Sequence, residues 1–196
     1  MEKLAFQNSL SVNQKVEFFE AFTGFETKNR YQILTEIGRQ LYFAAEESSF
    51  LARLFLKKMR PFQVHILSIE GKEILTLICP FRFFFRELNI ISNKTGQIIG
   101  RIKRKFSFFS RQLEVYNCSG QTLYFIEAPF LHPWTFKILQ NNQEKGTITK
   151  KWSGLSKEMF TDADNFGIKF PAGISIEEKS ILLGALFLID IVYFEQ

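Results

Sequence analysis

SILLGALFLIDIVYFEQ, residues 180–196, is a strongly apolar stretch at the end of the sequence, and its destination decides the fold. Residues 181–189 are apolar without interruption, and Asp190 then ends the run. A helix that crosses a bilayer needs about 20 predominantly apolar residues, and an aspartate at its centre costs about 2.5–3.5 kcal/mol. The stretch therefore predicts a helix buried inside its own protein, with insertion into a bilayer as the alternative.

The predicted helix extends over residues 175–194. Ser175 is the predicted N-cap, because a serine side chain can accept a hydrogen bond from the first free backbone amides. Glu177 and Glu178 follow in the first turn, where the positive end of the helix dipole favours acidic side chains.

Short runs of apolar and aromatic residues precede this helix and are separated by turn residues. Phenylalanine is abundant, with 24 copies, and aromatic residues favour strands. The spacing of about 8–12 residues is typical of a sandwich or barrel. We therefore predict a mainly β fold with strands at residues 30–34, 63–67, 74–78, 87–91, 98–103, 112–116, 123–127, 135–139, 146–150 and 165–170.

The N-terminal residues are predicted to form a short helical arm over residues 1–20, within an arm region of residues 1–28. Residues 29–196 then form one β domain that includes the C-terminal helix, as expected for 196 residues. The first residues lack the charged-then-apolar order of a secretory signal. Two cysteines, Cys79 and Cys118, fit a reducing compartment. We therefore expect a cytoplasmic, membrane-associated protein that is not secreted.

Positive charge is concentrated in the middle of the chain. Residues 51–111 contain 13 Lys/Arg and 3 Asp/Glu, a balance of +10, whereas the formal net charge of the whole chain is +5. Such a region indicates an anionic partner, either lipid headgroups or nucleic acid. A solvated basic face is the alternative.

Several separated motifs, in order, resemble the phospholipid scramblase family over roughly residues 10–196. They are residues 21–27 (AFTGFET), 42–46 (YFAAE), 60–62 (RPF), 162–168 (DADNFGI) with 170–171 (FP), and 184–185 (GA) with 187–190 (FLID). The resemblance implies a tubby-like fold, a closed antiparallel β-barrel around a buried hydrophobic C-terminal helix. It also implies calcium-dependent, ATP-independent movement of phospholipids between leaflets, in both directions.

The motif at residues 162–173 matches the family's proposed calcium segment. Numbered as a twelve-position loop, its ligand positions are Asp162, Asp164, Phe166, Ile168, Phe170 and Gly173. Calcium takes oxygen ligands from carboxylates and backbone carbonyls, and the twelfth position usually supplies a bidentate acid. Because Gly173 cannot supply one, we expect affinity in the millimolar range or weaker. The alternative is a turn followed by a strand.

Lipid contacts are predicted where mammalian members of the family carry palmitoylated cysteine clusters. One such region here is PFRFFFRE, in which Phe83, Phe84 and Phe85 stand among arginines. Aromatic side chains flanked by cations suit the bilayer interface, so these residues are predicted to insert directly. The dense cation run of Arg101, Lys103, Arg104 and Lys105 is predicted to bind anionic headgroups. The alternatives are core packing for the aromatics and solvated strands for the cations.

Three functions remain open from the sequence. The first is a scramblase-like membrane protein, with a homo-oligomer or local bilayer thinning providing the path for headgroups. The second is a peripheral lipid-binding or scaffolding module on the cytosolic leaflet. The third is a nucleic-acid-binding regulator, with Phe106, Phe108 and Phe109 as stacking residues. No nucleophile–base pair or cofactor motif in the sequence indicates a conventional enzyme.

Overall fold

The computed structural model describes residues 1–14, 27–47, 60–82, 86–150 and 165–194. Helix α1 is Glu2–Ala5, and helix α2 is Ile176–Ile189, which continues as a π-helical turn over Asp190–Phe194. Twelve strands lie in the described residues: β1 Ser9–Gln14, β2 Thr27–Thr35, β3 Gln40–Glu47, β4 Phe62–Ser68, β5 Glu73–Cys79, β6 Glu87–Ser92, β7 Gln97–Lys105, β8 Ser110–Asn117, β9 Thr122–Pro129, β10 Thr135–Gln140, β11 Gln143–Lys150 and β12 Asn165–Lys169.

The strands form one closed antiparallel barrel. Each strand pairs with its neighbours in sequence, and β12 closes the sheet against β1. The register sets inward-facing apolar side chains opposite one another, such as Val12 opposite Phe166 and Ile148 opposite Ile168. Both edges of each strand are thereby paired, which removes the free edges on which sheets aggregate. The predicted closed barrel is confirmed.

Helix α2 fills the interior of the barrel. Its residues from Lys179 to Ile189 are all buried, and Phe187 packs edge-on against Tyr31 with ring centres 5.2 Å apart. Gly100 on β7 permits this fit, because a Cβ there would lie 2.3 Å from Cδ1 of Ile181. The predicted burial of the helix is confirmed. Within the described residues, no helix combines the length and the apolarity that a membrane crossing requires.

The two ends of the barrel differ, and we name them the base and the mouth. The base carries α1, the N-terminus of α2 and the turns at residues 36–39, 69–72, 93–96, 118–121 and 141–142. The mouth is the end at which β1, β3, β5, β7, β9 and β11 finish and at which α2 ends.

Polar contacts within the chain close the base. Ser175 caps α2 as predicted, in a capping box with Glu178, and the Tyr124 hydroxyl donates to Glu178 at 2.8 Å. The Nζ atom of Lys179 donates to the carbonyl oxygen of Ala5 at 2.6 Å and to a second carbonyl oxygen of the same N-terminal segment at 2.7 Å. This buried ammonium thus ties α1 to the helix, and the N-terminal segment becomes part of the barrel.

Two strands were absent from the sequence prediction. Residues 9–14 form β1 rather than the helix expected over residues 1–20, and helix in the described part of that region is limited to Glu2–Ala5. The reason is tertiary pairing: Leu10 and Val12 face the core between β2 and β12, which a local pattern does not reveal. Strand β3 contains the resemblance motif YFAAE but was not predicted as a strand. The division at residue 28 stays a prediction.

Candidate functional site

Exposed aromatic side chains surround the mouth. Of eleven large hydrophobic side chains exposed in the described residues, seven lie there, and we call them the aromatic rim: Phe81, Phe106, Phe108, Phe109, Phe130, Leu131 and Trp134. Phe109 is 86% exposed and Leu131 is 90% exposed. The two loops that supply most of the rim touch, because the amide of Phe130 donates to the carbonyl of Phe109 at 3.4 Å. The rim residues of these two loops therefore form one continuous surface, and Phe81 adds a third loop at the same end.

Inside the rim lies a group of cations that we call the inner basic cluster: Arg86, Arg104, Arg111 and Lys150. Each occupies the next inward-facing position beyond a fully buried core residue, namely Leu88, Ile102, Leu113 and Ile148 respectively. Alternate residues of a strand face the same side. The strands therefore carry these side chains from the apolar core into the mouth.

The inner basic cluster surrounds the C-terminal end of helix α2. The guanidinium carbons of Arg104 and Arg111 lie 5.3 and 5.0 Å from the ring centre of Tyr193. Lys150 Nζ lies 4.4 Å from the ring centre of Phe194. Cations are favoured over aromatic faces and at the negative end of a helix dipole. Burial raises the pKa of Tyr193, while Arg104 and Arg111 act in the opposite direction.

Arg86 is the deepest arginine of the cluster, with 6% exposure. Its Nη2 donates to the carbonyl of Arg60 at 3.2 Å, whereas Nη1 is buried without a hydrogen-bond partner among the described residues. Burial lowers the pKa of Arg86, and the nearby charges of Arg60 and Arg104 lower it further. The neighbouring Cys79 thiol is buried as well, which raises its pKa to about 11 and keeps it protonated.

Two buried carboxylates also lie toward the mouth, and both have partners. Glu46 pairs with Arg60 and accepts a hydrogen bond from Asn29 at 2.7 Å. Asp190, at the end of α2, accepts one from the Tyr31 hydroxyl at 2.9 Å. These carboxylates are engaged by groups outside the inner basic cluster.

The cations predicted to bind lipid divide between two faces of β7. Arg101, Lys103 and Lys105 alternate with the buried Ile102 and project from the outer face. Lys103 and Lys105 each have an acidic neighbour there, at 3.9 and 3.2 Å. Arg104 instead projects into the mouth. The lipid-binding role of all four remains a prediction, and Arg104 belongs to the inner basic cluster.

Five of the predicted site residues lie outside the described residues: Phe83, Phe84 and Phe85 of the lipid set, and Asp162 and Asp164 of the calcium segment. The structure neither places them nor tests their roles.

The described part of the calcium segment, residues 165–173, begins with strand β12. Phe166 and Ile168 lie on β12 with their side chains in the core, and Phe170 is buried just beyond it. Gly173 follows in the turn that leads to α2 at the base, with φ +71°. Since β12 pairs with strands on both sides, residues 165–169 run along the barrel, and the calcium role of the segment stays a prediction. In the described part of the chain, no three His, Cys, Asp or Glu side chains come together as a metal site.

The sequence reading missed part of this site. Phe130, Leu131 and Trp134 of the rim were not singled out, nor was the convergence of Arg86, Arg111 and Lys150 with Arg104. A usable signal was present, because each cation stands two residues from a buried aliphatic at a strand end. The signal alone does not show that the four cations lie close together, because only the barrel topology places their strands around the same mouth.

Comparison with known proteins assigns the family. The family model described as Scramblase matches residues 1–196, and the chain belongs to this family. It is 33% identical over 210 residues to mouse phospholipid scramblase 1, covering all of this chain and 64% of that protein. It is 32% identical to bovine phospholipid scramblase 2 and 31% identical to human phospholipid scramblase family member 5, covering 71% and 77% of those proteins. No solved structure matches.

Proposed function

We propose that this chain acts on phospholipid bilayers as a scramblase-type protein and that the mouth of its barrel meets the lipid surface. The observation that carries the proposal is the aromatic rim, an exposed apolar surface beside a group of cations. The names of the relatives, phospholipid scramblases, support the choice of phospholipid over other apolar partners. We expect attachment to the cytosolic leaflet, where anionic lipids are concentrated.

The rim has the composition that a bilayer interface favours. Aromatic rings partition to the headgroup level, and complete burial of a Phe side chain is worth roughly 1.5–3 kcal/mol. Each cation near an anionic leaflet adds about 1 kcal/mol. Partial insertion of several rim residues, with nearby arginines, is therefore sufficient for reversible attachment.

Vesicle co-sedimentation tests this orientation. The chain offers a matched control, because Phe6 at the base is 84% exposed and Phe109 in the rim is 86% exposed. We expect Phe109→Ser, and more strongly Phe108→Ser with Phe109→Ser, to reduce binding to phosphatidylcholine–phosphatidylserine vesicles. We expect Phe6→Ser to bind as the unaltered protein does. Equal losses from both ends would reject the mouth as the lipid-facing end.

Lipid movement itself requires a hydrophilic path through about 30 Å of hydrocarbon. Helix α2 occupies the barrel interior, so we propose that bilayer thinning beneath inserted rims, or several copies together, supplies the path. The test reconstitutes the protein in vesicles with a fluorescent lipid and adds dithionite, which bleaches the outer leaflet. Bleaching beyond the outer-leaflet fraction, lost in the double rim variant, is the expected result. Bleaching equal to that of empty vesicles would contradict scrambling.

Calcium dependence is part of the proposal and depends on Asp162 and Asp164. With two charged ligands we expect a response only at about millimolar calcium or above. The same dithionite assay, with and without calcium, measures it. Asp162→Asn with Asp164→Asn should abolish the response and leave calcium-independent vesicle binding unchanged. A response of unchanged size in that variant would remove these residues from the calcium site.

A peripheral lipid-binding module without scrambling activity is the second candidate function. The observation that favours it is the complete burial of α2 between Lys179 and Ile189, which keeps the most apolar segment away from lipid. Carbonate extraction of membranes separates the two candidates. Release into the supernatant, together with no dithionite-accessible movement of lipid, would establish the peripheral module in place of the scramblase.

A further inference from the structure

The three arginines of the inner basic cluster, Arg86, Arg104 and Arg111, carry positive charge that no carboxylate of the described residues pairs with. The two buried acids toward the mouth are engaged elsewhere, Glu46 by Arg60 and Asp190 by Tyr31. Like charges placed together in a partly buried site repel one another strongly. An anion that binds between them would relieve this repulsion.

Arg86 supplies an independent indication of a ligand. The side chain is 94% buried, and its Nη1 atom has no hydrogen-bond partner among the described residues. A buried donor without a partner costs about 1–3 kcal/mol, and more when the group is charged. Native proteins rarely keep such a group unless it has a role. Arg86 adjoins Arg104, whose amide donates to the carbonyl of Arg86 at 2.9 Å.

The helix end accounts for only part of the charge. The negative end of a helix dipole is equivalent to roughly half an elementary charge, and the aromatic faces of Tyr193 and Phe194 add attraction without adding charge. Three arginines exceed that amount. They therefore remain positive after both contributions.

The position of the cluster below the rim is suitable for a ligand that belongs to the membrane surface. Arg104 is exposed at the edge of the mouth, Arg111 is half-buried, and Arg86 lies beneath them. Trp134 of the rim stacks on Phe194 with ring centres 5.5 Å apart, so the rim and the cluster are contiguous. Guanidinium groups bind phosphate oxygens through paired, charge-assisted hydrogen bonds. A phosphate group just below the level of inserted rim side chains would meet Arg104 and Arg111, which lie over the same tyrosine ring, with Arg86 beneath Arg104.

We propose that the inner basic cluster binds the phosphate of an anionic phospholipid headgroup while the aromatic rim contacts the bilayer. This inference rests on the proposed function and adds to it a headgroup site with named residues. It also explains why apolar and basic side chains are separated at the mouth, the first outside and the second inside.

Vesicles of two compositions test the proposal. One is phosphatidylcholine alone, and the other is phosphatidylcholine with phosphatidylserine. We expect Arg111→Gln and Arg104→Gln each to lower affinity for the mixed vesicles by roughly tenfold, the effect of losing one charge-assisted hydrogen bond. Binding to phosphatidylcholine alone should change little. Arg86→Gln should act in the same direction, and circular dichroism and thermal melting confirm that each variant folds.

The controls separate a built site from general attraction. Arg82 is an exposed cation at the same end but outside the cluster. Arg82→Gln should cause a small loss that disappears at high salt, because exposed charges are screened, whereas the loss in Arg111→Gln should persist. Lys94→Gln, in a turn at the base, should have no effect. Equal, fully screened losses in Arg82→Gln and Arg111→Gln would overturn the headgroup site.

Two further outcomes would also overturn it. The first uses a titration with inorganic phosphate in the absence of lipid. The site would be assigned to free phosphate if the arginine variants lost tight phosphate binding but kept the unaltered protein's preference for phosphatidylserine. The second uses Glu195→Gln to test whether an acid of the chain itself neutralises the cluster. If the unaltered protein binds both vesicle types equally and the variant prefers those with phosphatidylserine, Glu195 is the counterion of the cluster. Failure of rim insertion would appear separately, as unchanged binding of Phe109→Ser to both vesicle types.

Discussion

At the base of the barrel the start of helix α2 is bonded within the chain, whereas at the mouth its end is surrounded by cations and exposed aromatic rings. At the base, Ser175 and Glu178 cap the helix and Lys179 donates to carbonyls near the N-terminus. At the mouth, one donor of Arg86 has no hydrogen-bond partner in the part of the chain that the structure describes, and Phe109 is 86% exposed. The charged groups of Glu178 and Lys179 at the start of the helix are thus bonded within the chain.

The difference between the two ends indicates that the base contributes mainly to stability and the mouth mainly to function. Natural sequences are locally consistent except where function requires otherwise, and a large exposed apolar surface commonly marks an interaction site. Both ends expose some large apolar side chains, but the mouth exposes more of them than the base and also gathers cations around the end of the helix. We therefore expect substitutions at the base to affect folding and substitutions at the mouth to affect binding.

Lys179→Ala should have the largest effect on stability. The substitution leaves several carbonyl oxygens of the N-terminal segment without their donor, and α1 loses its attachment to α2. Removing buried charge-assisted hydrogen bonds predicts a loss of about 3 kcal/mol. Urea unfolding measures it, with Lys145→Ala, an exposed lysine on β11, as the control. A loss equal to that of the control would show that the base is not held in this way.

Glu178→Gln should have a smaller effect that depends on pH. Burial alone would raise the pKa of Glu178, but hydrogen bonds from Ser175 and Tyr124 lower it below the ordinary 4.5. A lowered pKa means that the ionised carboxylate stabilises the folded state above pH 4.5, and this contribution is lost as pH falls through the folded-state pKa.

The variant should therefore lose about 1 kcal/mol near neutral pH, as for a weakened helix cap. Its melting temperature should approach that of the unaltered protein in more acidic solution. Melting curves recorded across this pH range provide the measurement. A gap in melting temperature that stays constant with pH would contradict the assignment of the effect to the ionised carboxylate.

Arg104→Gln should have the smallest effect on stability. The arginine lies among like charges at the mouth, so its removal relieves repulsion while it removes a contact with Tyr193. We expect a change within about 0.5 kcal/mol, shifted toward greater stability at low salt, where repulsion is least screened. A loss as large as that of Lys179→Ala would make the two ends alike and would remove the contrast between them.

Much of this fold was predictable from the sequence. Gly-bearing turns between apolar runs located ten strands, and the apolar segment after Ser175 located the buried helix. Closure of the barrel came from the family resemblance, because pairing between β1 and β12 joins residues about 150 positions apart. Strand β1 was missed for that reason, since Leu10 and Val12 show their role only when paired.

The site was less predictable than the fold. Arg104 was grouped with Arg101, Lys103 and Lys105 as a headgroup-binding residue, and strand alternation separates it from them by turning it into the mouth. The rim likewise combines residues from separate loops that only the barrel brings together. Side chains that cooperate across several strands are defined by topology, which a local pattern does not contain.

The depth of two spin labels in a bilayer tests most directly whether the mouth faces lipid. Cys118 is exposed in a turn at the base, and Cys79 is buried, so Cys118 can carry one label. Phe109→Cys, in a Cys118→Ser background, carries the other at the rim. With vesicles of phosphatidylcholine and phosphatidylserine, we predict that the label at position 109 becomes accessible to oxygen and shielded from a water-soluble nickel complex, while the label at Cys118 stays in water. The opposite pattern, or two labels that both stay in water while the protein is bound, would contradict the account.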